Sequence, residues 1–342
     1  MCKKIFLCIV YFVAVSFTLK SQSKEKSIHS SGVSFAIDED FFVKRLGLNK
    51  DRNYTLGLHF SMFNSNWNSI FSEVLKINKA ECTLLPSEFS FDVVAFTPNI
   101  ISKEEIQYND RPYSNVLFLS LKRHGVNKIN TEYYSKTFYV GVLGTGVANY
   151  FQTGIHRLMG SVEPEGWQNQ ISDGGEPTIL YTRKKMNLFS VNSELFQMYH
   201  GYTYNLFYIT GITYNLGFRF GKYNKKNWLY DMSGFIGSTS TKTNRKILGK
   251  KKNEFYFYCN LNTNLNVYNA SLHGQFRETN YRLPYSKTGF LTIDTSLGVA
   301  FSLGKTTLSI YHKLRSPEIW DVNYKYWHNW GGVSFVYECG GN

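Results

Sequence analysis

Residues 255–267 read FYFYCNLNTNLNV, and their alternating character decides the fold class. Successive side chains of an extended strand point to opposite faces, so Leu261, Leu265 and Val267 share one face and asparagines occupy the other. Residues 290–303, FLTIDTSLGVAFSL, set apolar side chains against Asp, Ser and Gly in the same way. An apolar face opposite a polar face over about 10 residues is typical of a transmembrane β-strand, which has lipid on one side and a polar barrel interior on the other.

The rest of the chain contains further runs rich in β-branched and aromatic residues, which favour strands. They are residues 54–62, 89–97, 116–121, 137–142, 187–199, 204–220, 306–314 and 327–337. The run 204–220 is longer than the roughly 5–6 residues of an ordinary soluble strand. The pattern therefore predicts an all-β protein, a transmembrane antiparallel β-barrel. A soluble exported β-sandwich or sugar-binding barrel is the alternative, because its strands also alternate.

The composition and the distribution of apolar residues exclude two classes of protein. The chain has 342 residues, a formal net charge of +13, 17% aromatic residues and 18% charged residues. Disordered chains are poor in aromatic residues and rich in charge, so this class is excluded. After the first 20 residues there is no run of 18 or more apolar residues, which excludes a membrane protein built of helices. No Gly/Ser-rich linker divides the chain, so the mature protein is predicted to be one domain.

The N-terminus has the organisation of a secretory signal peptide. Two lysines precede an apolar run over residues 5–19, and Ser21 and Ser23 stand at the two positions that a signal peptidase reads. The apolar run is short for a membrane-spanning helix, which is the alternative. We therefore expect a signal peptide at 1–23 and an exported barrel at 24–342.

Residues 144–160, GTGVANYFQTGIHRLMG, lose the strand alternation and predict a short helix near residues 148–160. The apolar residues at helical spacing are Phe151, Ile155, Leu158 and Met159. Gln152 and His156 are four residues apart on the polar side and therefore share one face of this helix. A histidine in such a place is usually a surface residue, so the spacing alone identifies no site.

The helix belongs to an ordered series of short motifs. In chain order these are DRNYT-x-G (51–57), TP (97–98), DRPYS (110–114), GVLG (141–144), Q-x3-HR (152–157), Gly160 and GW-x-NQ (166–170). The series resembles the outer-membrane lipid A 3′-O-deacylases, which carry matching motifs in the same order. The resemblance covers residues 38–173, and the remainder matches only as further barrel strands. Each motif alone is unspecific, whereas the ordered series is specific.

This resemblance implies a barrel of twelve strands in the outer membrane of a Gram-negative cell, with the helix and the active site on the extracellular rim. It implies a carboxylic ester hydrolase that removes an ester-linked 3′-acyloxyacyl chain from lipid A. A histidine would be the general base and calcium (Ca²⁺) the cofactor. The expected partners are lipopolysaccharide and outer-membrane lipid. No nucleic-acid partner is expected, and the protein is expected to be a monomer.

Matched motif by motif, the resemblance assigns roles to five residues. His156 is the general base, and Gln152, its neighbour on the helix, orients the histidine or the attacking water. Asp40 is the acidic residue that ends the first strand and binds calcium. Thr55 begins the second strand. Lys103 follows the TP motif, and its ammonium is expected to pair with a phosphate of lipid A.

One position departs from the family. Where the family has Asn before the acidic residue, this chain has Glu39 before Asp40. A carboxylate binds a hard cation but donates no hydrogen bond, so the expected metal ligands are Asp40 and Glu39. Adjacent strand residues point to opposite faces unless a bulge intervenes. We therefore expect Asp40 to be the required ligand and Glu39 to assist it.

Counting strands from the N-terminus places these motifs together. If successive strands run in alternate directions, the first strand ends, the second begins, the third ends and the fifth ends at one rim of the barrel. Glu39, Thr55, Lys103 and His156 lie at those four places. The connection over residues 63–88 is the exception, because it is long and lies at the rim where short turns are expected.

Two other functions are compatible with the sequence. One is a non-catalytic barrel, a porin or a binding protein, which the pairing of Gln152 with His156 does not favour. The other is an outer-membrane phospholipase, which would use the same chemistry on a different lipid. Arg111 and Tyr113 are predicted to form a buried rim pair, and Trp167 is predicted to be an interfacial anchor.

Overall fold

Twelve antiparallel strands close into a barrel. The computed structural model describes residues 31–39, 53–72, 75–77, 82–127, 129–225, 228, 253–320 and 327–339. The strands in these ranges are β1 (Ser31–Glu39), β2 (Asn53–Asn64), β3 (Cys82–Leu84), β4 (Ser87–Thr97), β5 (Ser114–Asn127), β6 (Glu132–Leu143), β7 (Glu176–Asn192), β8 (Phe196–Phe207), β9 (Ile209–Lys222), β10 (Glu254–Asn269), β11 (Leu291–Leu303), β12 (Thr306–Arg315) and β13 (His328–Glu338). The connections contain α1 (Val147–Met159), α2 (Ala270–His273) and 3₁₀ turns at Ser65–Asn68, Ile70–Ser72, Trp167–Asn169 and Tyr285–Lys287.

Each long strand pairs with its neighbours, and β1 pairs with β13 to close the ring. The short β3 attaches to the end of β5, where Cys82 lies opposite Asn127. Closure leaves no edge in the ring unpaired, which is what a β-structure needs in lipid, where no water can satisfy backbone groups. The structure therefore confirms the predicted antiparallel barrel of twelve strands, and α1 confirms the predicted helix.

Two predicted runs each span a hairpin instead of one strand. The run 187–199 contains the end of β7 and the start of β8, and the run 204–220 contains the end of β8 and the start of β9. Only Tyr208 separates β8 from β9, and Phe207 takes a left-handed backbone with φ of 80°. The Thr210 hydroxyl stabilises this turn by accepting a hydrogen bond from the Phe207 amide at 3.1 Å. A turn without Gly or Pro gives no composition signal, which is why the sequence reads straight through it.

The two faces of the barrel wall differ as the alternation predicts. Leu265 and Val267 of β10 are exposed on the outside, whereas Asn260 and Asn264 are buried in the interior. Interior polar groups pair across strands, as when the Tyr199 hydroxyl donates to the Asn260 side-chain oxygen at 2.6 Å. A buried polar group without a partner would cost about 1–3 kcal/mol. The interior contains a cavity of about 130 Å³ bordered mainly by polar side chains of β5 to β11.

The two ends of the barrel carry different connections. The helix rim, defined as the end where β1 ends and β2 begins, carries residues 98–113, 144–175 and 270–290. Among the described residues, the opposite rim carries 65–72, 75–77, 82–86, 129–131, 193–195 and 304–305. The described parts of the long connection between β2 and β4 are folded, because they contain two 3₁₀ turns and β3. Within the described ranges, no helix has the length and apolar character to span a membrane.

Charged and aromatic side chains fill the interior beneath the helix rim. Arg111 is almost fully buried, and its guanidinium donates to the Glu318 carboxylate and, at 2.8 Å, to Ser271 Oγ. The same guanidinium lies 3.7 Å from the centre of the Phe96 ring. Glu318 also faces Arg315 Nη1 at 3.6 Å, so one carboxylate serves two buried cations. The predicted burial of Arg111 is confirmed, and this network fills part of the interior beneath the helix rim.

Candidate active site

Helix α1 packs on the outer wall of the barrel and not over its lumen. Val94 and Phe96 of β4 belong to the interior apolar cluster, whereas Ala95 between them packs with Leu56 of β2 and with Ala148 of α1. Leu56 and Ala95 are 3% and 0% exposed because the helix covers them. The seam between α1 and this wall, which we call the groove, therefore lies on the outside of the barrel.

The wall of this groove contains a β-bulge. Asn53 begins β2 with a left-handed φ of 65°, and the register with β4 shifts between Tyr54 and Leu56, which makes Thr55 the extra residue. The buried Thr55 hydroxyl forms a hydrogen bond of 2.8 Å with the Thr97 hydroxyl. Thr55 thus lies next to the outward Leu56 that α1 covers.

The large apolar side chains of helix α1 point away from the barrel, whereas Gln152 faces it beside Ala148. Gln152 is 4% exposed, whereas Tyr150 and Leu158 are 80% and 88% exposed, and Phe151 is exposed as well. In a water-soluble protein the apolar side of a helix would pack on the core. On the outside of a membrane barrel the free side of the helix meets lipid, which explains why the apolar residues point outward.

A buried tryptophan fixes the Gln152 side chain. Trp167 Nε1 donates to the Gln152 side-chain oxygen at 2.8 Å, and the Trp167 ring lies 4.9 Å from the Tyr113 ring. Trp167 is 2% exposed, so the prediction that it anchors the protein at the membrane interface is wrong. Its ring instead fills the space between α1 and the connection 98–113. The predicted burial of Tyr113 is confirmed.

His156 lies half-buried on the last turn of α1. Gly160 ends the helix with a left-handed φ of 63°, and the chain turns back so that the Val162 carbonyl oxygen lies 2.5 Å from His156 Nδ1. A carbonyl only accepts hydrogen bonds, so Nδ1 carries the hydrogen and Nε2 of the neutral ring keeps its lone pair. This contact holds the tautomer that a general base requires.

Lys103 lies on the connection 98–113 with an exposed side chain. This connection runs close to the segment that follows α1: a Cβ atom at Gly166 would lie 2.9 Å from the Lys103 carbonyl oxygen and 2.5 Å from the Tyr113 ring. The close approach therefore requires glycine. No carboxylate in the described ranges forms an ion pair with Lys103, so its ammonium can pair with an external anion.

β1 ends beside the same wall. Asp38 faces the interior, where it accepts hydrogen bonds from the Tyr311 hydroxyl and, at 3.0 Å, from Lys313 Nζ. Glu39 is the next residue and by strand alternation lies on the outer face, half-buried, near the part of β2 that α1 covers. Asp40 lies outside the described residues.

The calcium ligands stay a prediction. Considering only the residues that the structure describes, no three His, Cys, Asp or Glu side chains converge on a point that could hold a metal ion. Of the two expected ligands, Asp40 and Glu39, only Glu39 is described. Its carboxylate on the outer wall is the hard oxygen donor that calcium prefers.

Burial and pairing set the ionisation of groups around the groove. Loss of solvent raises the pKa of Asp110, although two backbone amides that donate to it act in the opposite direction. Burial also raises the pKa of Tyr113, which stays a neutral phenol. On the exposed side, the hydrogen bond from Arg157 lowers the pKa of Glu163. Arg157 is therefore already paired with a carboxylate, in contrast to Lys103.

The predicted site residues that the structure describes occupy neighbouring elements at the helix rim. Two of them have hydrogen-bond partners that the sequence did not single out. The described ones are Glu39 and Thr55 on the wall, Gln152 and His156 on α1, and Lys103 on the connection 98–113. Sequence reasoning missed the Trp167 ring as the partner of Gln152 and the Val162 carbonyl as the partner of His156. The tryptophan had a signal in the GW-x-NQ motif, whereas a backbone carbonyl has none, because every residue carries one.

Comparison with known proteins gives a match to a family and similarity to solved structures. The sequence model of the family described as outer membrane protein LpxR matches residues 5–339. Among solved structures, LpxR from Salmonella typhimurium has a TM-score of 0.68 at 14% sequence identity, covering 90% of this chain and 99% of that chain. The β domain of the Bordetella autotransporter BrkA has a TM-score of 0.42 at 9% identity, covering 90% and 98% of the two chains. The curated proteins contain no match by sequence.

Proposed function

Because this chain belongs to the LpxR family of outer-membrane proteins, we propose that it is a lipid A deacylase. Its substrate is the ester that links the 3′-acyloxyacyl chain to lipid A in lipopolysaccharide, and the reaction is hydrolysis. The observation that carries this proposal is the packing of α1 on the outer wall. It supports the proposal because Gln152 and His156 belong to this helix, and a site between the helix and the outer wall is accessible to lipid from the membrane.

His156 acts as the general base. Its Nε2 takes a proton from water, and the resulting hydroxide attacks the ester carbonyl to form a tetrahedral intermediate. The bond between the carbonyl carbon and the sugar oxygen then breaks, and the imidazolium returns the proton to that oxygen. The products are the released fatty acid and a free hydroxyl on lipid A. The Val162 carbonyl keeps Nδ1 protonated and stabilises the imidazolium that forms during the reaction.

The other residues hold the substrate in place. The Gln152 oxygen is occupied by Trp167, so its amide N–H groups are the part that can donate to the ester or to water. Thr55 forms the wall opposite the helix. Lys103 pairs with a phosphate of lipid A, which its exposed ammonium can reach at the rim. Held in this way, the ester stays next to the base, and such positioning is a large part of catalysis.

Calcium held by Asp40 and Glu39 would supply a positive charge that stabilises the oxyanion of the intermediate. Glu39 supports this assignment because it lies on the outer face of β1, the side on which α1 packs. The barrel is located in the outer membrane. We further propose that the helix rim faces the cell exterior, since lipopolysaccharide occupies the outer leaflet of that membrane.

The interior favours an enzyme over a channel. Buried ion pairs such as that of Arg111 with Glu318 occupy part of the described interior, whereas a porin keeps an aqueous channel open. An outer-membrane phospholipase would use the same groove and the same base. A deacylase and a phospholipase differ in which lipid they cleave, so the experiment has to measure both lipid A and phospholipids.

Mass spectrometry of lipids tests the proposal. Lipid A and phospholipids are extracted from Gram-negative cells that express the wild type, His156→Asn, or no copy. We expect lipid A that lacks one acyloxyacyl chain only with the wild type, because losing a general base costs about 10²–10⁴-fold in rate. His200→Asn is the matched control, since His200 lies on the wall of β8 away from α1, and it should retain wild-type activity.

Each other outcome has a definite meaning. Accumulation of lysophospholipid with intact lipid A would make the protein a phospholipase. Intact lipid A and intact phospholipid in cells where the barrel is folded would reject both esterases. Activity of His156→Asn within a few-fold of wild type would remove His156 from the mechanism.

A further inference from the structure

Three cations form one cross-strand row on the outer wall, away from the groove. Arg123 of β5 lies opposite Lys136 of β6, and Lys136 lies opposite Arg183 of β7. Their sequence neighbours Lys122, Ser135, Thr137, Thr182 and Lys184 border the interior cavity. Because strand residues alternate between faces, Arg123, Lys136 and Arg183 all lie on the outside of the barrel.

Like charges directly opposite each other on a sheet repel, so this row needs an explanation. The adjacent Lys185 is balanced by Glu132, whose carboxylate lies 3.3 Å from Lys185 Nζ. Within the described residues, Lys136 and Arg183 have no such carboxylate. Arg183 is exposed and its fork of N–H donors is accessible from outside.

The segment 75–77 adds to the positive charge of this patch. Arg123 Nη1 donates to the Leu75 carbonyl at 3.2 Å, and Lys136 Nζ donates to the Lys76 carbonyl at 2.7 Å. These bonds hold the segment against the wall, and the Lys76 side chain stays exposed. A fourth cation is therefore held beside the row. Arg123 is 1% exposed beneath this segment, so the accessible patch consists of Lys76, Lys136 and Arg183.

Tyrosines surround the patch. Tyr204 continues the row beyond Arg183, and both Tyr134 and Tyr202 lie opposite Lys185. Tyr202 and Tyr204 are exposed on the outer wall. Exposed aromatic side chains of this kind form the girdles of membrane barrels at the depth of lipid headgroups. A cation on the lipid-facing side of a barrel is costly at the bilayer midplane and tolerated near the interfaces, so this row is expected at the depth of lipid headgroups.

We propose that this patch binds the phosphate of an anionic glycerophospholipid from the leaflet nearest the opposite rim. The Arg183 guanidinium offers paired N–H donors that match two phosphate oxygens, and Lys136 and Lys76 add point charges. One phosphate between Lys136 and Arg183 removes their repulsion and holds the lipid against β6 and β7. This binding is independent of the proposed hydrolysis, since it uses no residue of the groove.

Native mass spectrometry of the full-length protein in detergent tests the proposal with phosphatidylglycerol as the probe. The wild type should bind phosphatidylglycerol in preference to phosphatidylcholine. The double variant Lys136→Gln, Arg183→Gln should bind it about tenfold more weakly, because two surface cations near a lipid phosphate each contribute measurably to affinity. The control Lys222→Gln, Lys305→Gln removes two exposed lysines at the same rim but outside the patch, and it should bind like the wild type.

Further variants and ligands keep the outcome decisive. Lys136→Arg keeps the charge and should retain binding, which covers the case in which the double variant fails to fold. Equal binding by the double variant and the wild type would overturn the proposal. It would also be overturned if millimolar inorganic phosphate displaced the lipid completely, or if the patch bound lipopolysaccharide and not phosphatidylglycerol. Lipid A hydrolysis should be unchanged in the double variant, so failure of one proposal does not imply failure of the other.

Discussion

A single backbone carbonyl determines which nitrogen of His156 can act as a base. The Val162 oxygen has no hydrogen to donate, so it fixes the Nδ1–H tautomer whatever side chain residue 162 carries. The position of that oxygen depends on Gly160, whose φ of 63° is costly for residues with a Cβ. We therefore expect the chemistry proposed for the groove to depend on the glycine after the helix, although glycine has no side chain to take part in it.

The Trp167 N–H should matter more than the Trp167 ring. In Trp167→Phe the ring packing on Tyr113 is largely kept, but the buried Gln152 oxygen loses its donor, which costs about 1–3 kcal/mol. We expect about tenfold lower deacylase activity with an unchanged fold. Purified variants are compared by initial rate on lipid A. Trp320→Phe, which alters an exposed tryptophan, is the control and should be fully active; equal activity of both variants would show that the Gln152 contact is dispensable.

The calcium dependence of activity should distinguish the roles of the neighbouring residues Asp40 and Glu39. Asp40→Ala should abolish calcium-dependent activity, because it removes the required carboxylate ligand. Glu39→Asn restores the residue of the family and should keep or improve activity. Rates are measured as free calcium is varied with a chelator. The assignment is wrong if the chelator has no effect, or if Glu39→Asn inactivates the enzyme and Asp40→Ala does not.

Side-chain chemistry is visible in a sequence, and backbone chemistry is not. His156 and Gln152 stand out because four-residue spacing puts them on one helix face. Tryptophan is common at membrane interfaces, so the sequence predicts that position for Trp167, yet its N–H donates to Gln152 in a buried cluster. No sequence pattern predicts the role of the Val162 carbonyl, because that role depends on the turn after Gly160.

At the scale of the element, α1 exposes large apolar side chains on the side that faces away from the barrel. Phe151 and Leu158 lie on that side, so we expect the helix to hold lipid or insert among acyl chains. Leu158→Asn should lower activity on lipid A in membranes severalfold while hydrolysis of a short soluble ester is unchanged. Ile129→Asn, an equally exposed apolar position at the opposite rim, is the control and should leave both activities unchanged. Loss of both activities in Leu158→Asn would instead indicate a damaged helix.

Strand faces were predictable and strand ends were not. β10 and β11 alternate cleanly, so their lipid-facing and interior residues follow from the sequence. The hairpin between β8 and β9 turns at Phe207 with aromatic and β-branched residues on both sides, which removes every composition signal. The middle of β7 carries Arg183, Lys184 and Lys185 in succession, and this charge hides its alternation.

At the scale of the whole molecule, the closed ring predicts resistance to detergent. Every barrel strand has two partners, so the chain should stay folded in SDS until it is heated and should run at a different gel position before and after boiling. Arg111→Ala should lower the temperature of this change, because it leaves the buried Glu318 with one cation fewer. Recovery of the mature chain as a soluble periplasmic protein would contradict the membrane location.

A groove on the outer wall changes how a substrate arrives. A lipid that enters between α1 and the barrel needs no transfer through water, because it can slide sideways within its own leaflet. Encounter is then a two-dimensional search, and its frequency depends on the mole fraction of the lipid in the surface and not on its concentration in the bulk. Dense packing of neighbouring molecules in that leaflet would slow the search, so the state of the surrounding membrane becomes part of the rate law.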